Sequence, residues 1–376
     1  MLYLCEVGLN MKDTVIININ ENDIDISDEI KYKSPEVENN IKLGCDILKN
    51  GGLVAFPTET VYGLGGDALK EDAARRIYAA KGRPSDNPLI VHIADKEDVY
   101  KLASFVSDDA KILMDKYWPG PLTLIFKKKS AVPGGTTGGL DTVAIRMPSN
   151  KIAAALIKES GVFIAAPSAN ISGRPSPTTG AHVVNDMEGR IDMIIDGGSV
   201  NIGLESTIVD VSGEKPVILR PGYITEEMLS ASIGKVEIDP AIIKPDENIR
   251  PKAPGMKYRH YAPRAEFYLF SGNEEKVIER IESKAKEYIC KGRKVGIIAT
   301  DETEGRYKEL LNGAVIISMG SGNKEEEIAH NLFAVLRKFD ELETDVILGG
   351  TFTDKGLGRA IMNRLSKACG YDITDV

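Results

Sequence analysis

Residues 53–66 read LVAFPTETVYGLGG, a short apolar run that passes directly into a polar, glycine-rich segment. The run Leu53–Phe56 has the length and composition of a buried strand. The glycines behind it let backbone N–H groups approach a ligand closely. Thr58 and Thr60 are two positions apart, so both hydroxyls lie on the same side of an extended chain. This segment predicts a strand followed by a polar turn. The sequence supports a ligand-binding turn and a purely structural turn about equally.

Helical and strand patterns alternate around this segment up to about residue 222. Residues 36–49 carry apolar side chains at helical spacing and end at a Gly-Gly pair, which predicts a helix. Further helices are predicted at 72–80, 108–117, 151–159 and 179–186, and strands at 89–93, 122–126, 142–147, 162–166, 193–195, 207–211 and 217–219. The pattern indicates an α/β domain with a large, mixed, twisted sheet.

The composition changes after residue 235. Residues 240–264 hold five prolines and few apolar side chains, which is typical of a linker. Strands are then predicted at 267–270, 295–299, 315–318 and 346–348, alternating with helices near 274–290, 304–312, 325–339 and 359–368. Strict alternation predicts a smaller, Rossmann-like parallel α/β domain. The expected organisation is an N-terminal extension (1–35), a catalytic domain (36–235), a Pro-rich linker (236–264) and a C-terminal domain (265–376).

The composition limits the classes of function. With 42% hydrophobic and 27% charged residues, the 376-residue chain resembles soluble globular proteins. Its four cysteines are scattered without a Cys-x-x-Cys pair, so we expect neither disulfides nor a zinc site, and a cytoplasmic location. No apolar run is long enough to cross a bilayer, and we expect no signal peptide and no membrane partner. The net charge of −9 argues against broad nucleic-acid binding.

Two cations lie in residues 81–88, KGRPSDNP, just before a predicted strand. The glycine and the prolines fit a helix that ends here, and Lys81 also fits the negative end of the helix dipole. The end of a helix does not explain Arg83 or Asn87. Two cations and an amide suit a polyphosphate, because Arg offers a planar fork and Lys a point charge. We expect Lys81 and Arg83 to lie on a loop, so that replacing either leaves the fold intact.

Two further polar side chains fall on predicted strands. Arg146 shares a strand face with Thr142 and Ala144, and if buried it needs an anionic partner. The sequence supports two such partners about equally: an acidic side chain in a structural ion pair, or the carboxylate of a ligand. His92 lies on the strand face opposite Leu89, Val91 and Ile93. A lone strand histidine is more often a core or surface residue than a ligand.

Small hydroxyl and amide residues follow the predicted strand at 162–166. Residues 165–173 read AAPSANISG. Ser176 and the proline after it fit a helix N-cap, although a ligand at that helix start would also meet free N–H groups. A second hydroxyl pair, Ser206 and Thr207, opens a strand, and Arg220 ends one. No Walker-type loop, G-x-S-x-G elbow or H-E-x-x-H motif occurs, so such a site would act by positioning and electrostatics.

Together these segments resemble the YrdC-like threonylcarbamoyl-AMP synthases over most of residues 36–222. The family's four-residue Lys-Arg/Ser-Asn signature is matched by Lys81, Arg83, Ser168 and Asn170. Residues 254–263, PGMKYRHYAP, and 358–365, GRAIMNRL, resemble the longer, two-domain branch. The resemblance implies a concave, positively lined site. It also implies a reaction of L-threonine, bicarbonate and ATP that forms threonylcarbamoyl-AMP and pyrophosphate, for modification of adenosine 37 in tRNAs reading ANN codons.

The resemblance also implies roles for individual residues. Threonine would be held by Thr60, His92, Arg146, Ala166 and Ser206. ATP would be held by Arg83, Asn87, Thr142, Ser168, Asn170, Ser176 and Arg220, with Lys81 near the phosphates and Lys81 and Arg83 as the catalytic pair. A linker tyrosine, Tyr261 or alternatively Tyr258, would close over the nucleotide.

Cofactors and partners follow from the same resemblance. Mg²⁺ would accompany the triphosphate and need few protein ligands, and no residue is assigned to a metal. The expected partners are ATP, L-threonine, bicarbonate and the downstream tRNA threonylcarbamoyl transferase proteins, with weak RNA contact also considered.

Two other functions fit parts of the sequence. The chain could be an RNA-recognition module, whose affinity would fall steeply with salt. It could also be a dinucleotide-dependent enzyme, because residues 63–68 fit G-x-G-x-x-A. That match lacks the acidic residue expected about twenty positions later, and the C-terminal domain has no glycine fingerprint.

Overall fold

The computed structural model describes residues 13–27, 29–243, 251–255 and 260–376. Within these ranges the strands form an eleven-stranded sheet, a five-stranded sheet and a two-stranded hairpin. The large sheet belongs to the N-terminal part, up to residue 243, and the five-stranded sheet to the C-terminal part, from residue 265. This confirms the predicted fold class of a large mixed α/β sheet with a smaller Rossmann-like sheet.

The N-terminal part contains thirteen strands and nine α-helices among the described residues. The strands are β1 (Val15–Asn18), β2 (Ile24–Asp25), β3 (Lys31–Tyr32), β4 (Val54–Phe56), β5 (Gly63–Asp67), β6 (Ile90–His92), β7 (Leu122–Lys127), β8 (Thr142–Arg146), β9 (Ile164–Ala165), β10 (Met193–Asp196), β11 (Thr207–Asp210), β12 (Val217–Arg220) and β13 (Glu237–Ile238). The helices are α1 (Pro35–Lys49), α2 (Glu71–Lys81), α3 (Val99–Leu102), α4 (Asp108–Tyr117), α5 (Gly134–Thr137), α6 (Lys151–Ser160), α7 (Gly180–Met187), α8 (Glu226–Ile233) and α9 (Pro240–Ile243).

The large sheet has the order β1-β10-β4-β5-β9-β6-β8-β7-β11-β12-β13 and mixes parallel with antiparallel pairs. Helix α1 begins where predicted, because Ser34 caps it and Pro35 occupies its first turn. Its apolar face, Ile41 and Leu48, is fully buried against β4 and α6. Helix α1 therefore packs directly on the centre of the sheet, next to the segment that leaves β4.

The glycine-rich segment after β4 is partly a strand, so its interpretation as a turn throughout is wrong. Residues 63–67 form β5, antiparallel to β4. A Cβ atom at Gly65 would lie 2.8 Å from the Phe56 ring and 2.7 Å from Ile164. Glycine is required here because two neighbouring strands approach closely. A segment so poor in side chains gives no alternating pattern from which a strand could be predicted.

The described residues before α1 pack on the N-terminal part. β1 pairs in parallel with β10 at the edge of the large sheet, and β2 and β3 form the hairpin. Glu21 accepts a hydrogen bond of 2.8 Å from the Lys151 backbone N–H at the start of α6. The segment predicted as an extension therefore supplies an edge strand. The predicted domain boundaries stay a prediction.

The C-terminal part is a parallel sheet between two pairs of helices. Its strands are β14 (Glu266–Ser271), β15 (Val295–Ala299), β16 (Val315–Ser318), β17 (Val346–Gly350) and β18 (Ile373–Asp375). Its helices are α10 (Glu274–Cys290), α11 (Asp301–Leu310), α12 (Glu325–Glu341) and α13 (Gly356–Ala368). The strand order is β16-β15-β17-β14-β18. The four predicted strands are confirmed; β18 was not predicted, because its three residues are all exposed.

Helices α12 and α13 join the C-terminal part to the N-terminal part. Phe333 and Leu336 of α12 share one buried cluster with Val61 and Leu204. Arg337 of α12 lies 2.8 Å from Asp186 of α7, and both side chains are buried. The interface thus places α12 and α13 beside the loops that carry the polar motifs. Across the described ranges, no helix combines the length and apolarity needed to cross a membrane.

Candidate active site

Most polar residues predicted for the site line one cavity, which we call the site cavity. It lies at the strand ends of the large sheet. The predicted residues that line it are Lys81, Arg83, His92, Arg146, Ala166, Ser168, Asn170, Ser176, Ser206, Arg220 and Tyr261. These side chains come from segments up to 180 positions apart, so the fold itself brings them together.

Lys81 is the last residue of α2 and is buried, so its placement on a loop is wrong. Its Nζ donates hydrogen bonds to the carbonyl oxygens of Ser168 and Asn170, the latter at 2.6 Å. Burial, with Arg83 nearby, lowers the pKa of the ammonium well below its ordinary value. Lys81 thus ties α2 to the Ser168–Asn170 loop. Replacing it would disturb this loop as well as remove a charge.

Arg83 follows Gly82, whose φ of 60° ends α2 as predicted. Arg83 is half-buried, donates a long hydrogen bond of 3.4 Å to the Pro88 carbonyl, and its Nε has no hydrogen-bond partner. Burial lowers its pKa to about 10, so it stays charged at neutral pH. No ion pair with a described carboxylate involves this guanidinium. It is therefore a cation suited to an anionic ligand.

The Ser168–Asn170 loop is held by its own side chains. The Ser168 hydroxyl donates to Asn170 Oδ1 at 2.5 Å. The Asn170 amide donates to the carbonyl oxygens of Ile171 and Arg174 at 2.8 and 2.9 Å. Asn170 therefore shapes the loop, and Ser168 and the loop backbone face the site cavity.

Ser176 does not cap a helix, because α7 begins at Gly180 with Thr179 as its N-cap. The Ser176 hydroxyl instead donates to Glu205 Oε1 at 2.5 Å. Glu205 Oε2 accepts a hydrogen bond of 3.1 Å from Arg364 Nε of α13. Burial alone would raise the pKa of Glu205, but Arg364 and Arg220 hold it below its ordinary value. The C-terminal part thus contributes a buried cation directly behind the site cavity.

Sequence reasoning missed Glu205 and Arg364 as site residues. Glu205 adjoins the hydroxyl pair at 206–207, and Arg364 lies in the tail segment 358–365, so a signal was present for both. The two residues are 159 positions apart in the sequence, and no sequence pattern indicates that their side chains contact each other.

Arg146 is buried on β8 at the opposite side of the site cavity. Its Nη1 donates to Thr60 Oγ1 at 2.8 Å, and Thr60 in turn lies 2.9 Å from Thr58 Oγ1. Its Nη2 lies 2.7 Å from Glu59 Oε1, but neither atom is in a well-aligned hydrogen bond. A structural ion pair with Glu59 is therefore present, and the same guanidinium lines the site cavity.

His92 lies beside Arg146 on the neighbouring parallel strand β6. Its Nδ1 lies 3.1 Å from the Ile90 carbonyl oxygen, and its ring meets the Phe56 ring edge-on at 6.3 Å. Burial, together with the Arg146 charge, lowers the pKa of His92 to about 3. The imidazole is therefore neutral at physiological pH and can recognise a ligand only through directional hydrogen bonds.

Acidification is expected to destabilise the chain through His92. Its pKa is about 3 when folded and 6.5 ordinarily, so the unfolded chain binds more protons between these values. The free energy of unfolding should therefore fall as the pH drops below about 6.5, by about 2 kcal/mol at pH 5 from this residue. Urea unfolding of the wild type and His92→Gln at pH 7 and pH 5 measures this. Equal pH dependences in both chains would contradict the assignment.

Ser206 and Arg220 form the part of the site nearest the linker. Ser206 Oγ lies 2.7 Å from Thr123 Oγ1 and accepts a hydrogen bond of 3.1 Å from Arg220 Nη2. Burial lowers the pKa of Arg220 to about 10. The Arg220 guanidinium also donates to the Pro254 carbonyl at 3.4 Å, so the same cation contacts the site and the linker.

The linker covers the site cavity with Pro254, Gly255, His260 and Tyr261. Tyr261 adopts a φ of 64° and packs on Phe333 of α12, with ring centroids 5.1 Å apart. The alternative residue Tyr258 lies outside the described residues. The volume open to water-sized molecules is about 50 Å³, room for a few water molecules and less than a nucleotide needs.

Three predicted residues do not line the site cavity. Thr60 is connected to the site cavity indirectly, because its hydroxyl accepts a hydrogen bond from Arg146, which lines the cavity. Asn87 is buried, and its carbonyl accepts a hydrogen bond of 3.0 Å from Tyr78. Thr142 is half-buried at the end of β8 remote from Arg146. Among the described residues, no three His, Cys, Asp or Glu side chains are grouped as a metal site would need.

Known families match both parts of the chain. The family model Sua5_yciO_yrdC, described as "Telomere recombination", matches residues 46–222, and "Threonylcarbamoyl-AMP synthase, C-terminal domain" matches residues 224–370. Threonylcarbamoyl-AMP synthase of Pyrococcus abyssi is 48% identical over 336 residues, covering 89% of this chain and 96% of its own. This chain belongs to the threonylcarbamoyl-AMP synthase family. The Bacillus subtilis threonylcarbamoyl-AMP synthase is 47% identical over 348 residues, 92% of this chain and 96% of its own.

A solved structure of a threonylcarbamoyl-AMP synthase family member has the same fold. The crystal structure of Pyrococcus abyssi Sua5 complexed with L-threonine aligns with a TM-score of 0.87 and 46% identity. The alignment covers 96% of this chain and 100% of that chain. The resemblance to the two-domain branch is therefore confirmed, and the family is one of enzymes that make an AMP-linked product.

Proposed function

We propose that this chain forms threonylcarbamoyl-AMP and pyrophosphate from L-threonine, bicarbonate and ATP, for modification of adenosine 37 in tRNAs reading ANN codons. One observation carries the proposal: Arg83, which has no carboxylate partner among the described residues, and Arg146, which is paired with Glu59, face the same cavity. Such a cavity suits a polyphosphate and an amino-acid carboxylate side by side. Relatives that are 47–48% identical and named threonylcarbamoyl-AMP synthases support it.

The threonine would bind at the β6–β8 side of the site cavity. Arg146 would contact its carboxylate with the N–H groups that Thr60 and Glu59 do not use, because a charged donor strengthens such a hydrogen bond. Neutral His92 and the hydroxyls of Thr60 and Ser206 would supply directional hydrogen bonds, and the Ala166 backbone would complete this side. A crystal structure of the Pyrococcus abyssi relative complexed with L-threonine supports an amino-acid ligand in this fold.

The ATP would bind at the α2 side, against the Ser168–Asn170 loop. Arg83 and Arg220 would meet the phosphates, Lys81 would lie close to them, and Ser176 would add a hydroxyl. Asn87, Thr142, Asn170 and Tyr261 are proposed as further ATP contacts. In the reaction, a carbamate oxygen on the threonine nitrogen attacks the α-phosphorus. The bond from the α-phosphorus to the bridging oxygen breaks, and pyrophosphate leaves. The side chains act by holding the two reactants and stabilising the phosphate charge.

Mg²⁺ is proposed to enter with the triphosphate. The hydroxyl oxygens of Ser168 and Ser176 line the cavity on the ATP side, while the Glu205 carboxylate is already bonded to Ser176 and Arg364. That set suits an ion held mainly by phosphates and water, which would offset the phosphate charge. Bicarbonate as co-substrate, transfer proteins downstream, weak RNA contact and a cytoplasmic location also stay predictions.

A substrate-omission assay tests the proposed function. Purified chain with Mg²⁺ is expected to release pyrophosphate from ATP only when L-threonine and bicarbonate are both present, because the attacking carbamate needs both. Pyrophosphate release and the adenylate product, detected by mass spectrometry, are the measurements. Release at the same rate without threonine would contradict the proposal. Replacing threonine by L-valine, which lacks the hydroxyl, is the matched control for side-chain recognition.

A further inference from the structure

A second cavity, of about 450 Å³, lies wholly within the C-terminal part. It is lined by residues that follow three parallel strands: Gly272 after β14, Thr300 after β15 and Thr351 after β17. The site cavity does not share any of these residues. Its volume is that of a site for a small molecule.

The topology of the C-terminal sheet favours a ligand at this position. Helices α10 and α11 pack on one face of the sheet, with Ile278, Ile281 and Tyr307 in one cluster. Helices α12 and α13 pack on the other face, with Phe333 and Ile361 in another. The connections that leave β15 and β17 therefore run to opposite faces. In open parallel sheets, ligands bind in the crevice that this reversal creates at the carboxyl ends of the strands.

The charge of the second cavity argues against a phosphate-bearing ligand. Glu274, Glu302 and Glu325 line it, and none of its described lining residues is Lys, Arg or His. Two N–H groups near the cavity are already used by carboxylates. Glu302 accepts from the Gly322 N–H at 2.9 Å, and Glu325 accepts from the Gly358 N–H at the start of α13 at 3.1 Å.

An unpartnered polar group completes the second cavity. Tyr307 lines it and is only 3% exposed, yet within the described ranges its hydroxyl has no hydrogen-bond partner. Burial raises the pKa of Tyr307 above its ordinary value; the Arg306 charge opposes this shift and the Glu274 carboxylate adds to it, so the phenol keeps its proton. Apolar side chains, including Val277, Ile298 and Phe352, line the remainder.

We infer that the second cavity binds an aliphatic polyamine. Ammonium groups match Glu274 and its neighbouring carboxylates, the Tyr307 hydroxyl can accept or donate a hydrogen bond, and the methylene stems match the apolar lining. A neutral chain would gain no attraction from the carboxylates, and an anion would be repelled by them. This site is distinct from the synthase site and does not depend on the proposed function.

Titration calorimetry with spermidine, at about 0.15 M salt and without ATP or threonine, tests the inference. One saturable site per chain is expected. Glu274→Gln and Tyr307→Phe should each weaken binding by about fivefold, because each removes one polar contact. Glu279→Gln, which removes an exposed carboxylate from α10 outside the cavity, is the matched control and should leave binding unchanged.

Three results would overturn the inference. The first is the absence of saturable spermidine binding. The second is an equal loss in Glu274→Gln and Glu279→Gln, which would mean that the net charge of −9 attracts the amine diffusely. The third is equal binding of 1,8-octanediol, an uncharged chain of similar length. Circular dichroism of each variant confirms that the fold is kept.

Discussion

Arg83→Gln is expected to lower kcat/KM for ATP by about a hundredfold to a thousandfold, because one charged donor to the phosphates is lost. The guanidinium has only a long hydrogen bond to the Pro88 carbonyl and no carboxylate partner among the described residues. Glutamine keeps a polar side chain, but it is shorter and carries no charge. Since the substitution removes a poorly compensated cation, the melting temperature should stay the same or rise slightly. Steady-state kinetics at varied ATP, with thermal unfolding in parallel, measure both effects.

Arg75→Gln is the matched control for Arg83→Gln. Arg75 lies on the same helix α2, is exposed, and pairs with Asp72 at 2.8 Å. Its loss should leave kcat/KM unchanged and alter stability by less than about 0.5 kcal/mol. If Arg83→Gln kept its activity within a factor of three, the placement of the phosphates beside Arg83 would be wrong. Lys81 is a poorer test, because it also holds the Ser168–Asn170 loop.

Arg364→Met should lower the free energy of unfolding by about 3–5 kcal/mol, because it leaves Glu205 buried without its principal counter-charge. Arg364 is 0% exposed, and its guanidinium also donates to the Pro221 carbonyl. The same change should raise KM for ATP, since Glu205 would no longer be held against Ser176. Urea unfolding and steady-state kinetics measure the two effects.

Arg359→Met is the control on the same helix, α13. Arg359 also crosses the interface, to Glu226, but both side chains are about one-third exposed. Its loss should cost less than about 1 kcal/mol. Adding Glu205→Gln to Arg364→Met should recover part of the stability, because the uncompensated carboxylate is removed. If Arg364→Met and Arg359→Met lowered the free energy of unfolding equally, the buried Arg364–Glu205 contact would stabilise the fold no more than the partly exposed Arg359–Glu226 pair.

Local patterns were sufficient to predict most of the fold. The strand at 142–146 shows its alternation, α1 has its cap and apolar face, and Gly82 marks the end of α2. β5 could not be predicted in this way, because it is mostly glycine and its strand character comes from close neighbours. β18 has no buried face, so no apolar period marks it.

The sequence was sufficient to predict which residues belong to the candidate site. It was not sufficient to predict which of them contact each other. The residue types around Lys81, Arg146 and Ser168 indicate phosphate and carboxylate chemistry, and the structure gathers them in one cavity. The burial of Lys81 depends on a loop almost ninety positions away. The pairing of Glu205 with Arg364 depends on how the C-terminal part docks. Such contacts depend on tertiary packing, which short-range periodicity does not encode.

The linker residues that line the site cavity have a consequence for the fate of the proposed product. A carbamate joined to a phosphate is a mixed anhydride, and hydrolysis would destroy it. Pro254, His260 and Tyr261 line the cavity, where water-sized molecules have a volume of only about 50 Å³. A product formed there would meet few water molecules, so these residues would protect it until its release.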